Sequence, residues 1–258
     1  MESWRLLVSQ ADGGARNLAT DHAVAEHVRD GTAPPTLRFY TWRPAALSLG
    51  YGQPLAAVDT YLALRSGIDL VRRPTGGQAI LHNDELTYAV MLPRMHALAT
   101  GGVLASYERL SAGFERGFAT LGLEARQGHW QPDTSDAEGL LCFASPSTHE
   151  LSAGDVKLMG SAQTRLGGAL LQHGSIPFTH DPRIYDLLRL PRPAALHGLR
   201  DLRSPAPTVG ALIEVLATGF VEALRVALRP GSLNAAELSR RDELVRKRYA
   251  CDAWLARR

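Results

Sequence analysis

The sequence predicts an α+β fold, with a mixed, mostly antiparallel sheet flanked by helices. Short apolar runs typical of strands are interspersed with amphipathic helices, without the regular strand–helix–strand repetition of parallel α/β folds. The clearest helix is Val103–Leu123, whose apolar face is formed by Leu104, Tyr107, Leu110, Ser111, Phe114, Phe118 and Leu121. Internal repeats, low-complexity tracts and coiled-coil heptads are absent from the sequence. We therefore expect one domain over residues 1–258.

The composition narrows the class of protein. The 258 residues have a formal net charge of +2, which gives no electrostatic reason to expect nucleic-acid binding. Cys142 and Cys251 are too far apart to indicate a disulfide framework or a zinc site. The sequence shows neither a signal-peptide pattern nor an apolar run of membrane-spanning length. We expect a cytoplasmic protein without a metal site, a membrane contact or a nucleic-acid partner.

The first half of the chain is predicted to alternate short strands with two helices. The predicted strands are Trp4–Ser9, Leu37–Trp42, Ala46–Leu49, Ile68–Arg72, Ala79–Leu81 and Thr87–Leu92. One predicted helix is Asn17–Arg29, with Asp21 placed near its positive N-terminal end. The other is Pro54–Gly67, which begins at a proline.

The second half combines one strand pair with several helices. Gly160–Arg165 and Gly167–Phe178 are predicted to pair, after a further strand at Leu140–Ala144. Gln127–Gly139 is polar and turn-rich, and we expect a mobile loop there. Pro191–Pro207 is expected to be irregular. The predicted helices are Pro182–Leu190, Val209–Leu228 with Thr208 as its cap, and a last one from the Asn234–Glu237 capping box to Tyr249.

The strongest chemical signal is a lysine followed by small residues. Lys157 is one of two lysines in a chain that otherwise uses arginine. An ammonium is a compact charge whose pKa shifts readily on burial, which a guanidinium does not match. Gly160, Ser161 and Ala162 follow, and small residues let a ligand approach the backbone closely. Alone, a lysine after Gly-Asp is also typical of a solvated hairpin.

A cysteine precedes this lysine. Cys142 ends the apolar run of LLCFASPS. A thiol at the end of a strand beside an ammonium is a candidate nucleophile. A cysteine after two leucines is more typical of a small buried core residue than of a nucleophile, so Cys142 alone does not predict catalysis.

A second motif contains a double glycine. Gly76 and Gly77 form a predicted turn between Arg72–Arg73 and the strand Ala79–Leu81. Backbone amides at such a turn can bind an anion or a carboxyl group, although a double glycine between strands is also typical of a simple hairpin. The spacing fits neither the phosphate loop of nucleotide hydrolases nor the dinucleotide fingerprint. His82 closes the strand and, alone, is more typical of a hydrogen-bonded loop residue than of a base.

Together these two motifs resemble the lipoate–protein ligase and octanoyltransferase superfamily. They read RRPTGGQAILHNDELTY from Arg72 and KLMGSAQTRLGGALLQHGSI from Lys157. Within the superfamily, the chain is most similar to the cysteine-dependent octanoyl-[acyl carrier protein]:protein octanoyltransferases. Cys142 stands ahead of the lysine motif, as in that branch. The Gly-Gly-Gln turn with HNDELTY differs from the three glycines and His-Asp-x-Gly-Asn continuation more common in ATP-using ligases, and we expect the protein to lack the accessory domain that many ligases carry.

The resemblance implies a fold and a reaction. The fold would be that of the catalytic domain of biotin and lipoate ligases. The donor would be an octanoyl-acyl carrier protein, and the acceptor a lysine of a lipoyl-domain protein, expected to be the glycine cleavage H protein. Cys142 would hold octanoyl as a thioester, while Lys157 would favour the thiolate and stabilise the tetrahedral intermediate. No cofactor, ATP or metal would be needed.

The resemblance also implies a substrate site. The double-glycine turn and the small residues after Lys157 would wall an apolar tunnel that selects chain length. Structural roles are favoured for His82 and His173, with orientation of the substrate as the alternative. The expected substrate-binding residues are Arg73, Gly76, Gly77, Ala79, His82, Gly160, Ser161, Ala162, Gln163, His173 and Gly174.

Three other functions stay open at this point. In an ATP-dependent lipoate–protein ligase, Lys157 would contact a lipoyl-adenylate and Cys142 would be incidental. An amidotransferase would move octanoyl from H protein to dehydrogenase subunits, again through a cysteine. A non-catalytic lipoyl-domain binder would need neither residue.

Overall fold

A computed structural model of the protein describes residues 1–127, 150–154, 156–193 and 197–257. Within these ranges the chain forms a large sheet of eight strands, a small sheet of three strands and helices packed around them. The predicted fold class is confirmed. The predicted strand Leu140–Ala144, most of the predicted loop Gln127–Gly139 and the candidate nucleophile Cys142 lie outside the described residues.

The strands are numbered along the chain. They are β1 (Glu2–Val8), β2 (Thr36–Tyr40), β3 (Ala46–Leu49), β4 (Asp69–Arg72), β5 (Ile80–His82), β6 (Glu85–Pro93), β7 (Arg126–Gln127), β8 (Leu151–Ala153), β9 (Val156–Leu166), β10 (Ala169–Pro177) and β11 (Val226–Pro230).

The helices are numbered in the same way. They are α1 (Gly14–Arg29), α2 (Thr60–Arg65), α3 (Gly102–Thr120), α4 (Arg183–Leu188), α5 (Leu199–Leu202), α6 (Val209–Leu224), α7 (Ala235–Leu244) and α8 (Asp252–Leu255), with a π-helical turn at Val245–Tyr249. None of the helices in the described ranges combines the length and the apolar sequence needed to cross a membrane.

The large sheet has the strand order β11-β1-β2-β6-β10-β9-β8-β7. Strand β1 is parallel to both of its neighbours, and the pairs from β2 to β7 are antiparallel. The small sheet has the order β4-β3-β5 and is likewise mixed. The prediction of a mostly antiparallel sheet therefore holds, with parallel pairing confined to one edge of each sheet.

Each face of the large sheet packs against its own pair of helices. Alternate residues of β6 point to opposite faces, because successive side chains of a strand alternate. Tyr88 and Val90 join a core with α3 and α6, whereas Ala89 and Met91 join a core with α1 and α7. A third core lies between the small sheet and helices α2 and α4. Both faces of β6 are thus buried, which explains why the five residues from Tyr88 to Leu92 follow one another without a charged residue.

The double glycine does not form a hairpin. Strands β4 and β5, on either side of it, both pair with β3 and not with each other. The intervening loop is instead held by Arg73, whose guanidinium donates to the carbonyls of Gly76, Gln78 and Ser48. Gly77 has a φ of +86°, a conformation that favours glycine. The simple-hairpin interpretation is therefore wrong.

Three predicted helices have different limits. The segment Pro54–Gly67 is a short 3₁₀ turn followed by α2, because Asp59 caps α2 by accepting from the amide of Leu62. The predicted final helix has its capping box but ends at Leu244, where the π-helical turn begins. In addition, the short helix α5, which was not predicted, lies within Pro191–Pro207, the segment expected to be irregular.

The third helix with different limits is the predicted helix Val209–Leu228, which is shorter at its C-terminal end in the structure. Its Thr208 cap is confirmed, since Thr208 accepts from the amide of Ala211. Helix α6 ends at Leu224, because Arg225 adopts a left-handed conformation with φ of 54°. The chain then forms β11, which pairs with β1 at the sheet edge.

Two further sequence expectations are wrong in detail. Leu104, assigned to the apolar face of α3, is 53% exposed. Asp21 was placed near the positive end of its helix, but α1 begins at Gly14 and has no acidic residue in its first turn. Asp21 is instead buried and forms an ion pair with Arg38, 2.6 Å away.

Helices α3 and α6 approach each other closely at glycines. A Cβ on Gly219 would lie 2.3 Å from the carbonyl oxygen of Gly113 and 2.5 Å from the amide nitrogen of Gly117. The ring of Phe220 fills the space beside Gly113, where a Cβ would be 2.6 Å from it. The crossing therefore has no room for a larger residue.

We predict that Gly219→Ala destabilises the protein. Alanine is the better helix former, but overpacking a tight contact costs about 1–3 kcal/mol. The free energy of unfolding, measured in urea, should fall. Gly210→Ala is the matched control in the same helix, because the nearest atom to its added Cβ is 4.0 Å away. Equal stabilities of the two variants would contradict the tight crossing.

Candidate active site

A narrow cavity lies between the two sheets. Residues of both sheets and of α1 line it. The lining residues are Leu18, Tyr40, Trp42, Ser48, Arg73, Ile80, His82, Thr87, Gly160, Ser161, Ala162, His173, Gly174 and Ser175.

Both sequence motifs meet at this cavity. Seven of the expected site residues line it, namely Arg73, His82, Gly160, Ser161, Ala162, His173 and Gly174. Ala79 and Gln163 are chain neighbours of the lining residues Ile80 and Ala162. Gly76 and Gly77 do not line the cavity but lie against the lining residue Arg73, which donates to the carbonyl of Gly76. The roles of all eleven in substrate binding stay predictions.

Pairing of β9 with β10 builds one wall. Ala162, Ser161 and Gly160 stand opposite His173, Gly174 and Ser175 in the antiparallel register. A Cβ on Gly174 would lie 2.5 Å from the carbonyl oxygen of Gly160 and 2.5 Å from the ring of Tyr88. Glycine is therefore required at position 174 for this close packing.

A network of hydrogen-bonded polar side chains holds this wall in place. The hydroxyl groups of Tyr88 and Ser161 are 2.7 Å apart, and Gln172 donates to Tyr88. Gln163 in turn donates to Gln172. Burial raises the pKa of Tyr88 to about 12, so its phenol stays protonated. Gln163 thus supports the wall from the neighbouring strand.

Lys157 is buried three residues before this wall. The residue is 5% exposed, and its Nζ lies 2.5 Å from Oε2 of Glu150. The backbone of Ser161 also hydrogen-bonds Glu150. Burial raises the pKa of Glu150, and the ammonium of Lys157 only partly offsets this effect. The alternative of a solvated hairpin charge is therefore wrong for Lys157.

A second buried pair involves His82. Its Nδ1 is 2.8 Å from Oε1 of Glu85, which also accepts hydrogen bonds from the hydroxyls of Thr87 and Ser175. Trp42 stacks on the imidazole with ring centres 4.0 Å apart and an interplanar angle of 9°. Burial opposes ionisation of Glu85, but His82 and the hydroxyl donors outweigh it and lower the pKa of that carboxyl group.

A third network ties the glycine loop to α1 and the sheet. The Nε2 of His173 is 2.7 Å from the hydroxyl of Thr75, which precedes the double glycine. Its Nδ1 is 3.8 Å from Asp21, which accepts from Tyr40 at 2.8 Å and pairs with Arg38. Burial lowers the pKa of His173, with Asp21 opposing the effect.

Several of these residues were not identified from the sequence as part of the site. Glu85, Glu150, Thr75 and Ser175 each bond to a residue of a recognised motif, yet none was expected in the site. Glu85 had a local signal, a carboxylate three positions after His82. Glu150 had none, because β8 and β9 bring it to Lys157 across a hairpin.

Comparison with known proteins identifies the family. Residues 14–220 match the lipoyl protein ligase A/B catalytic domain. Octanoyltransferase LipM of Brevibacillus brevis is 38% identical over 100% of both chains, and that of Moorella thermoacetica is 38% identical over 100% of this chain and 99% of its own. A crystal structure of lipoate-protein ligase A bound with ATP is similar with a TM-score of 0.80 and 26% identity, covering 99% of each chain.

The chain therefore belongs to the lipoyl protein ligase A/B catalytic domain family. Within that family it belongs with the full-length relatives named octanoyltransferase LipM. The resemblance drawn from the two motifs is confirmed, and so is the predicted class of enzyme, an acyltransferase of the octanoyltransferase type.

We predict that the Asp21–Arg38 pair makes stability depend on acid pH. Burial raises the pKa of Asp21, but Arg38 and His173 outweigh it, so the folded pKa lies below 3.8, the usual value of an aspartic acid. The native state then binds fewer protons than the unfolded state, and stability rises with pH. This contribution is complete above pH 3.8 and is lost as pH falls through the folded pKa.

Unfolding in urea at several pH values tests this. At neutral pH, Asp21→Asn should lower the free energy of unfolding by about 3–5 kcal/mol, because Arg38 stays buried without its partner. The variant should also lose less stability than the wild type between neutral and acid pH. Asp30→Asn, which removes the partner of an exposed ion pair with Arg29, is the control and should change stability little. An unchanged acid slope in Asp21→Asn would contradict the assignment.

Proposed function

We propose that the protein transfers octanoyl from an acyl carrier protein to a lysine of a lipoyl-domain protein in the cytoplasm. The acceptor is the glycine cleavage H protein, and octanoyl passes through a thioester on Cys142. The relatives named octanoyltransferase LipM support this reaction, because they align with the whole chain at 38% identity.

One observation carries the proposal. A buried lysine, Lys157, stands at the head of a strand whose next residues, Gly160 to Ala162, line an apolar cavity. Burial of a charge is unfavourable unless the charge is paired, and Glu150 supplies the partner. Buried ionisable groups beside a cleft are characteristic of functional sites.

The first half-reaction loads the enzyme. The thiolate of Cys142 attacks the carbonyl carbon of the donor thioester, and the Lys157 ammonium stabilises the negative oxygen of the tetrahedral intermediate. In the resting enzyme Glu150 is the counter-charge of Lys157, so the developing oxyanion competes with Glu150 for the ammonium. The intermediate collapses with loss of the carrier thiolate, and octanoyl stays on Cys142.

The second half-reaction unloads it. The amine of the acceptor lysine attacks the enzyme thioester, and an amide forms as the thiolate of Cys142 leaves. Exchange between two thioesters is nearly balanced, whereas amide formation is favourable. The route needs no cofactor, because the donor thioester is already activated.

The cavity supplies selectivity for the acyl chain. Each buried methylene contributes about 0.8 kcal/mol. Leu18, Trp42 and Ile80 give the cavity apolar walls, and Gly174 keeps it narrow. A chain that fills this space gains more binding free energy than a shorter one.

An ATP-dependent lipoate ligase is the second candidate. The similarity to lipoate-protein ligase A bound with ATP, at 26% identity over nearly the whole chain, favours it. In such an enzyme Cys142 has no chemical role, so replacing Cys142 separates the two candidates. The amidotransferase differs in its donor, octanoyl-H protein, and is distinguished by offering each donor separately.

We predict a covalent octanoyl adduct on Cys142. Incubation with octanoyl-acyl carrier protein should add the mass of one octanoyl group to the intact protein, and peptide mapping should place it on Cys142. The adduct should be absent in Cys142→Ala, while Cys251→Ala, which removes the other cysteine, should keep it. Full transfer activity in Cys142→Ala would contradict the proposal and favour the ligase.

We also predict that Lys157 is needed for both half-reactions. Lys157→Met removes the charge and should slow adduct formation and transfer by about 100-fold, as loss of an oxyanion donor does. Lys157→Arg keeps the positive charge but should still slow both steps, because a planar guanidinium cannot replace a compact ammonium. Lys247→Met removes the other lysine, whose side chain is 74% exposed, and should leave both rates unchanged. Wild-type rates in Lys157→Met would refute this role.

A further inference from the structure

The imidazole of His82 is held in one orientation with one nitrogen unused. Glu85 binds its Nδ1 at 2.8 Å, and Trp42 stacks against one face of the ring. Trp42 is itself fixed, because its Nε1 donates to Thr87 at 2.7 Å. Within the described part of the chain, Nε2 of His82 makes no hydrogen bond, and this nitrogen keeps some exposed surface. Since His82 lines the cavity, Nε2 is the ring position available to a substrate.

Glu85 is held as a carboxylate by its surroundings. It is buried, and hydroxyl donors from Thr87 and Ser175 satisfy it in addition to His82. A carboxylate at Nδ1 fixes the neutral tautomer with its proton on Nδ1 and stabilises the imidazolium that forms when Nε2 accepts a proton. The pair therefore has the arrangement of a general base and its orienting carboxylate.

Other charged and titratable groups surround this pair. Arg73 and His173 line the same cavity, with Asp21 behind His173. His180 interacts electrostatically with both Lys157 and Glu85. Burial and, to a smaller extent, the charge of Lys157 lower the pKa of His180 to about 4, so its imidazole is neutral at physiological pH. Glu85 is in direct contact with His82.

The proposed reaction requires a proton acceptor in its second half. A free lysine amine has a pKa of about 10.4, so the acceptor arrives as an ammonium and must lose one proton before attack and another before the amide forms. Lys157, a cation paired with Glu150, is arranged to stabilise negative charge and not to accept a proton.

We propose that His82, oriented by Glu85, is the general base that deprotonates the acceptor lysine during transfer of the acyl group. This inference rests on the proposed function and assigns the proton acceptor of its second half-reaction.

The step balances as follows in atoms and charge. The acceptor ammonium gives one proton to solvent, and its lone pair forms the new C–N bond. The nitrogen of the tetrahedral intermediate then gives its second proton to Nε2 of His82. The C–S bond breaks, its electron pair stays on the sulfur of Cys142, and the amide remains with one N–H. His82 finally returns its proton to solvent.

The test separates the two half-reactions. Octanoyl-enzyme is formed, verified by intact mass and isolated, and single-turnover transfer to the apo H protein is then measured. In His82→Gln, transfer should be slower by about 100-fold or more, the usual contribution of a general base. Formation of octanoyl-enzyme should change by less than about threefold, since that step has no ammonium to deprotonate.

Hydroxylamine gives the readout that a structural role would not move. Its nitrogen is much less basic than a lysine amine, so it is unprotonated at neutral pH, and the nitrogen of its tetrahedral intermediate loses its proton to water without help from a base. Octanoyl-enzyme of His82→Gln should therefore react with hydroxylamine at the wild-type rate. The rate of transfer to the H protein should also lose its plateau and keep rising with pH, because solvent base replaces His82.

Two further variants complete the design. Glu85→Gln keeps the shape but removes the charge, and should slow lysine transfer by about tenfold while sparing hydroxylamine. It decides the same question if His82→Gln does not fold. His96→Gln is the matched control, since His96 also lies 2.8 Å from a glutamate, Glu2, but does not line the cavity. It should behave as the wild type.

The outcomes distinguish this inference from the proposed function. If His82→Gln transfers octanoyl to the H protein at the wild-type rate, or loses lysine and hydroxylamine reactivity equally, the base is not His82 and the Cys142 thioester still stands. If the wild type forms no octanoyl-enzyme, the proposed function fails and this inference fails with it.

Discussion

The site depends on the pairing of β10 with strands on both sides. One edge of β10 binds β6, so that Ser175 lies opposite Thr87 and Pro177 opposite Glu85. Its other edge binds β9, so that Gly174 lies opposite Ser161. A slip of one residue in either register would turn the paired side chains to the other face. The two sequence motifs, about seventy residues apart along the chain, therefore meet only because one central strand fixes both registers.

Three buried ion pairs lie on or beside the strands and the helix that line the cavity, and they join different elements. Asp21 with Arg38 anchors α1 to β2, and Glu150 with Lys157 joins β8 to β9. Glu85 with His82 joins the start of β6 to the end of β5. Removing two charges from water is unfavourable, and the attraction within a pair repays this only with good geometry and additional hydrogen bonds. Such pairs are weak evidence for stability, so their position around one apolar cavity points to chemistry.

Local pattern was sufficient for most of the fold. The β9–β10 pair, the Thr208 cap and the Asn234–Glu237 capping box were all predicted, because each depends on residues close in sequence. Strand β11 was missed because Val226–Leu228 continues the apolar sequence of the preceding helix. Only the left-handed conformation of Arg225 ends that helix.

The same distinction applies to the site. The glycines, Lys157 and the two histidines stood out by residue type or by motif. Their partners did not, since Glu150, Thr75 and Asp21 are ordinary polar residues until the sheets bring them into contact. The hairpin interpretation of the double glycine failed for a related reason. Its flanking strands find their partner in β3, more than twenty residues earlier, and the sequence around Gly76 contains no trace of that pairing.

The two candidate chemical groups have opposite electrostatic requirements, and the fold places them on different strand pairs. An ammonium that stabilises an oxyanion must stay charged, whereas a base must be neutral before it acts and charged afterwards. In the proposed reaction Lys157 meets the first requirement through its contact with Glu150, a partner that a developing oxyanion would replace. His82 meets the second through Glu85, which faces its Nδ1 and also accepts from two hydroxyl donors. Each of the two groups thus has its own carboxylate, on a different strand pair. The first pair would stabilise negative charge on oxygen and the second would remove positive charge from nitrogen, the two demands that aminolysis of a thioester makes.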